Sequence, residues 1–350
     1  MKKYRFLPVT ALLAGVALVS SCSDDPDPVI VPPTESGLIE VDGGGATYPN
    51  TVFVSLRAEK QTAVPRGSWD LAFSTGSDFK VLINGTAGAM ASATEKTDIN
   101  AVGATEIAAA EASGELVLAT TNLQSISHVD DAANPLSTPA IAAVSATEGS
   151  NVVYLLSRGA SGVDAKPWKK VRIIRKGDGY TLQHANADAT SFTSLDVPKD
   201  NKHKFVYVSF ENGVVSVEPD NSAWDIAWTA GTSSTNFGGG PIAYFFQDLV
   251  YHNIYNSTSA VQVMEAEIAY DDFAETDVPA LVFETNTRLT IGSNWRSGGG
   301  PTSGPALRTD RYYVIKDAEG NIYKLRFLSL TKDGERGKPS FEYELVEAGN

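Results

Sequence analysis

Few side chains in this chain of 350 residues are of a type that does chemistry. There is one cysteine, Cys22, and the histidines are His128, His184, His203 and His252. The internal methionines are Met90 and Met264. None sits at a catalytic spacing. Gly-x-Ser-x-Gly, His-Glu-x-x-His, a Walker loop and Gly-x-Gly-x-x-Gly are all absent, so the expectation is a protein that is not an enzyme. Asp130-Asp131 and Asp271-Asp272 lack calcium-loop spacing and read as solvated loop charge. His203, between Lys202 and Lys204, reads as exposed. His252 stands apart, because it lies in the densest aromatic run of the chain, with Tyr244, Phe245, Phe246, Tyr251 and Tyr255. Met264 follows twelve residues later.

Two carboxylates occur in a repeated setting. Gly67-Ser68-Trp69-Asp70-Leu71-Ala72-Phe73 recurs as Ser222-Ala223-Trp224-Asp225-Ile226-Ala227-Trp228, 155 residues on. Upstream of each copy stands a matching triplet, Val54-Ser55-Leu56 and Val208-Ser209-Phe210. Downstream, Val153 to Leu156 and Lys169 to Ile174 correspond to Tyr312 to Ile315 and Tyr323 to Leu328. Three blocks in one order at nearly one offset predict two copies of one domain, residues 38–190 and 191–350. Trp69, Leu71 and Phe73, like Trp224, Ile226 and Trp228, alternate with smaller residues at the period of a half-buried strand. Asp70 and Asp225 then lie at a strand end, where a local turn or Arg partner is expected rather than a site.

The elements that must position these residues are strands. Gly-rich turns and the many Val, Ile, Thr, Tyr and Phe residues predict an all-β fold, mostly antiparallel, with at most short helices. Expected strands are 51–56, 69–73 and 79–83, with a hairpin at Asn84-Gly85. Ala-rich 105–112 predicts one short helix, and 170–174 should pair with 180–184. Phe192 to Val197 opens the second copy. Residues 205–210 and 214–217, then 281–285 and 288–291, are expected strands, and 295–305 a glycine-rich loop. Residues 312–315, 323–328 and 341–346 form a closing meander. The pattern leaves Phe246 to Leu249 open between strand and helical turn.

The beginning of the chain predicts export. Lys2, Lys3 and Arg5 precede a short apolar core from Leu12 to Val19, so residues 1–21 read as a signal peptide. Val19-Ser20-Ser21-Cys22 resembles a bacterial lipoprotein box, with Cys22 as the lipidated mature N-terminus. Ser23-Asp24-Asp25 resembles the surface-export signal of Bacteroidetes lipoproteins. Residues 22–37, rich in Pro and Asp, read as a stiff tether. The expectation is a lipid-anchored protein on the outer face of the outer membrane, its lipid the anchor in the membrane. Loss of three cations with the signal peptide takes the net charge from −14 to −17, which argues against nucleic acid as a partner.

Phe205 to Phe210, Trp224-Asp225-Ile226-Ala227, Gly238-Gly239-Gly240 and Tyr313 to Phe327 together resemble the HmuY family, haem-binding lipoproteins of Bacteroidetes. The resemblance covers most of residues 192–347, and a weaker version covers about 38–185. It implies two tandem HmuY-like β domains, a haem cofactor held between two side chains from loops, and scavenging beside an outer-membrane haem receptor. No metal beyond haem iron is implied. The family's axial ligands are His or Met, one of them between a Trp and a Gly-Pro. Here Trp295-Arg296-Ser297-Gly298-Gly299-Gly300-Pro301 holds neither, and Thr138-Pro139-Ala140 of the first copy holds none. The second copy keeps the family pattern better and holds the aromatic run from Tyr244 to Tyr255, so the haem reading places the site there. His252 is the foremost axial ligand and Met264 the next, with Tyr251 and Trp295 beside the porphyrin. Asp248 would accept from the His252 imidazole if the segment were helical. The alternative is a non-enzymatic surface module for a glycan or a protein partner, resting on the missing ligand and on Trp168 and Trp295 as exposed aromatics.

Overall fold

The computed structural model describes residues 32–299 and 303–349. The expected signal peptide, Cys22 and most of the expected tether lie outside the described residues, as do residues 300–302 of the glycine-rich loop.

Among the described residues four larger antiparallel sheets make the fold, with a two-stranded ribbon of Arg296–Ser297 and Ala306–Leu307 beside them. The Leu182 sheet runs Thr193–Val197, Gly179–Asn186, Lys169–Lys176, Tyr154–Ser157, Met90–Ala93. The Phe73 sheet runs Gly213–Val215, Phe205–Ser209, Leu71–Ser74, Val81–Ile83. The Trp228 sheet runs Pro241–His252, Ile226–Asn236, Asn50–Ser55, Lys60–Pro65. The Tyr323 sheet runs Ser36–Glu40, Glu335–Glu347, Ile322–Lys332, Arg311–Lys316, Ser259–Met264. One α-helix, Ala104–Ser113, forms where alanine favours it. Glu106 accepts the Gly103 backbone N–H at 2.9 Å at its start, and Gly114 ends it at a φ of +66°.

The sheets cross the expected joint near Thr190. Phe205–Ser209 of the second copy pairs with Leu71–Ser74 of the first, and Ile226–Asn236 pairs back with Asn50–Ser55. The opening strands Ser36–Glu40 and Thr193–Val197 likewise join the other copy's last strand. Residues 66–218 thus supply every strand of the Phe73 and Leu182 sheets. The Trp228 and Tyr323 sheets take strands from 36–65 and from beyond 225.

Strand alternation sorts the side chains into three layers. Ile226, Trp228 and Ala230 meet Tyr313, Tyr323, Leu325 and Phe341 between the Trp228 and Tyr323 sheets. Leu71 and Phe73 meet Leu156, Ile173, Tyr180 and Leu182 between the Phe73 and Leu182 sheets. Ala72 and Ala227, the repeated alanines, face the middle layer, with Phe53, Leu82, Phe205, Val217 and Trp224. Trp69 and Trp224 join this middle layer rather than the outer cores. Each precedes its strand, and the alternation begins only after the aspartate.

The aspartates have the local role expected of them, but across copies. Asp70 donates its N–H to Val208 O and accepts from Phe210 N; Asp225 donates to Val54 O and accepts from Leu56 N, all four at 2.8–2.9 Å. Each caps the end of the other copy's strand, at the triplets matched in sequence. Asn84 and Asn253 repeat the pattern, donating to Trp69 O and Trp224 O. Asp70 alone also pairs with Arg158, at 2.7 Å, and Arg158 reaches on to Glu211. Among the described residues no cation forms an ion pair with Asp225, and burial pushes its carboxyl up to about 7 against the weaker pull of Arg57.

One open choice is settled and two local expectations change. Phe246 to Leu249 is strand, broken only by Asp248 at a φ of +56° and a register shift opposite Thr229 to Gly231. Residues 281–285 and 288–291 are not strands; they run as loop with isolated bridges at Glu284 and Gly292. The turn at Asn84-Gly85 does not close a hairpin, because Val81–Ile83 and Met90–Ala93 enter different sheets.

Candidate functional site

The four residues expected at a site lie in four settings. His252, in the last position of Pro241–His252, pairs with Ile226 and is 1% exposed. Neither ring nitrogen makes a hydrogen bond of full geometry, and burial lowers its pKa to about 4 against the opposing pull of the Glu284 backbone. Tyr251, the next residue back, faces the middle layer under the Arg288 guanidinium, 4.0 Å from its ring centroid. Trp295 is 1% exposed and stacks on Phe327 at 4.2 Å, so it is core and not an exposed aromatic. Met264 closes an edge strand of the Tyr323 sheet, half-buried, beside Gln262. Tyr251 and His252 are neighbours only along the strand, where side chains alternate.

Asp248 does not serve His252, since the segment is strand. Its carboxylate, fully buried, holds Arg336 and lies 3.5 Å from Arg296 Nε and from Tyr48 Oη. Burial raises its pKa despite both cations. Trp295 Nε1 donates to Asp248 O at 3.0 Å. This group ties the strand to the glycine-rich loop and is structural.

The remaining candidates are also engaged. His128 Nδ1 lies 3.1 Å from Ala91 O, and His203 lies between Asp200 and Asp220. His184 packs on Phe210 with a lowered pKa, from burial first and then from Lys169. Met90 is core. Among the described residues no three of His, Cys, Asp and Glu gather to hold a metal, and no helix is long and apolar enough to cross a membrane.

What the surface does offer is an aromatic ridge at the tip of the hairpin between Ile226–Asn236 and Pro241–His252. Phe237, 65% exposed, meets Tyr244 edge-on at 5.5 Å, and Tyr244 meets Phe246 at 5.1 Å. Exposed Leu123 of the first copy lies against Gly239. Ser125 Oγ accepts from Ala243 N at 3.0 Å, so the 122–128 segment caps this edge strand and helps to shield it. Phe237 and Tyr244 are exposed and Phe246 half-buried, and exposed rings set side by side mark a surface that meets a ligand or partner.

The family model for the HmuY protein matches residues 47–183 and 201–343. The chain belongs to the HmuY family. Its two HmuY segments coincide with the two copies read from the repeat, and the all-β antiparallel fold agrees. Among solved structures, the apo HmuY analogue of Tannerella forsythia is 10% identical, with 90% of this chain and 98% of that chain covered and a TM-score of 0.32. A putative HmuY-like heme-binding protein from Bacteroides vulgatus is 11% identical, with 90% and 93% covered and a TM-score of 0.25. No curated protein matches the chain. For a HmuY-family chain, an axial clamp from loops requires two His or Met side chains facing one opening. Among the described residues none of the four histidines or of Met90 and Met264 forms such a pair, so the expected clamp does not fit this structure. The ridge was missed in the sequence because Phe237 lies outside the aromatic run from Tyr244 to Tyr255 and Phe246 was left open between strand and helical turn. The signal lay in their flanking of Gly238-Gly239-Gly240, a tip with no core above it.

Proposed function

We propose that this chain is a lipid-anchored surface binding protein of the HmuY type. Its ligand is haem, received on the ridge Phe237–Tyr244–Phe246 rather than between axial side chains. The family match over both segments carries the HmuY-type role. The ridge supports the mode, because a porphyrin presents a wide apolar face and exposed rings gain both burial and stacking from it. Anchoring through Cys22 would hold that face outside the cell, beside an outer-membrane haem receptor.

Haemin titration read in the visible spectrum tests this. Binding should shift the Soret band, and a Phe237→Ser, Tyr244→Ser double variant should weaken it about tenfold, the worth of one or two ring contacts. His252→Gln should leave it unchanged. A spectrum that ignores haemin removes the haem reading, and a ridge variant that binds as the parent does removes the ridge as its site. The absence of a facing His/Met pair among the described residues favours one second reading, that the same ridge meets a protein or glycan partner.

A further inference from the structure

The middle layer is not filled. Between the Phe73 and Trp228 sheets lies a cavity of about 110 Å³, and both copies build it from corresponding positions. The motif tryptophans Trp69 and Trp224 line it, as do the motif alanines Ala72 and Ala227. An alanine on each facing sheet leaves room that a larger side chain would close. For scale, a cavity of ~150 Å³ holds benzene, so this one, at about 110 Å³, is somewhat smaller, takes at most a single ring with its polar end at the mouth, and excludes a porphyrin.

One end of the cavity is polar. Arg288 lines it, and its Nε donates to Ala132 O at 2.7 Å. The other guanidinium nitrogens have no hydrogen-bond or ion-pair partner among the described residues, though Arg288 is only partly exposed. Its charge reaches the lining groups Asp130, Glu218, Tyr207, Tyr251 and Tyr255. Asp130 is engaged elsewhere, accepting from Ile83 N and Ala140 N. Glu218 accepts from Tyr207 Oη at 3.2 Å, and its other oxygen is unpaired. Burial pushes both carboxyls up to about 7, so neither presents a full negative charge to an incoming anion at neutral pH. The mouth is a seam between copies: Arg288 N donates to Ala133 O at 2.9 Å and Asn134 Nδ2 to Asn286 O at 3.3 Å. Two loops held by so few bonds can part to admit a ligand.

We infer that this cavity binds a small aromatic carboxylate, the ring between Trp69, Trp224, Phe205 and Tyr207 and the carboxylate on the unpaired face of the Arg288 guanidinium. The planar fork of arginine matches a carboxylate's two oxygens. The ring replaces empty space with dispersion contacts. The inference is independent of the haem reading, since the two sites share no residue.

Calorimetric titration of the intact mature protein with benzoate, benzyl alcohol and benzylamine tests it. Benzoate should bind at least about tenfold more tightly than benzyl alcohol, and benzylamine least, as one charge-assisted pair requires. Arg288→Gln should abolish the preference for benzoate while retaining benzyl alcohol. Ala72→Leu, which grows into the cavity, should remove both. The comparison of the three probes on the parent needs no variant, so it stands even if Arg288→Gln fails to fold. Equal affinity for benzoate and benzyl alcohol, binding of neither at millimolar concentration, or benzoate binding unaltered by Ala72→Leu overturns the inference.

Discussion

His252 and Asp225 are both buried ionisable groups, and their effects on stability run in opposite directions with pH. The folded pKa of His252 is about 4, below the ordinary value of 6.5. Above pH 6.5 the imidazole is neutral folded or unfolded. As pH falls from 6.5 towards 4 the unfolded chain takes up a proton that the folded chain refuses, and stability is lost. The difference is about 3 kcal/mol by linkage. His252→Leu should therefore gain on the parent by about that much between pH 6.5 and 4, read as chemical denaturation at each pH. A constant gap would mean that the ring is not buried neutral. Asp225, raised to about 7, contributes the reverse: its stability is full below about pH 4 and falls as pH rises to 7. Asp225→Asn should flatten that decline, and a parallel decline in parent and variant would refute it.

At the scale of elements, most of the strands were legible and most of their partners were not. Alternation at 205–210 or 312–315 is a local signal, and so is the alanine run of the single helix. Which strand lies beside which depends on groups far apart in sequence. Nothing near Asp70 announces that it will cap Phe210 rather than a neighbour of its own copy. The repeat itself was visible because the Trp-Asp-aliphatic-Ala blocks must do the same job twice. That job, capping the opposite copy, needed coordinates. The ridge hid for a related reason: an aromatic at a strand end looks the same in sequence whether a sheet covers it or not. The crossed pairing makes a definite prediction. A fragment of residues 66–218 holds every strand of two sheets and should unfold cooperatively by circular dichroism. A fragment of residues 38–190 lacks Phe205–Ser209, leaves Leu71–Ser74 an open edge and strips Arg158 of Glu211, so it should not. Cooperative unfolding of 38–190 alone would contradict the pairing.

For the whole molecule, the acidic balance and the tether bear on where it works. Residues 22–350 carry a net charge of −17, which repels anionic surfaces, so under the proposed anchoring attachment should depend on a lipid at Cys22. Cys22→Ala should appear in the soluble fraction of lysed cells, and a variant that sediments with membranes as the parent does would rule out that anchor.

The crossed sheets also set an order of assembly. The strands of residues 36–65 leave the ribosome before all others, yet Ser36–Glu40 and Asn50–Ser55 pair with strands that arrive after residue 225. Ser36–Glu40 must wait for Glu335–Glu347, nearly the full length of the chain. Such distant contacts are slow to form, since loop closure costs entropy before the contact repays it. The intervening 66–218 can close meanwhile and shorten the search, because a folded body spans far less distance than the loose chain it replaces. The earliest strands to emerge are thus the last to be enclosed. Until then the apolar faces of Asn50–Ser55 stand open, and whatever shields the nascent chain has to cover that stretch longest.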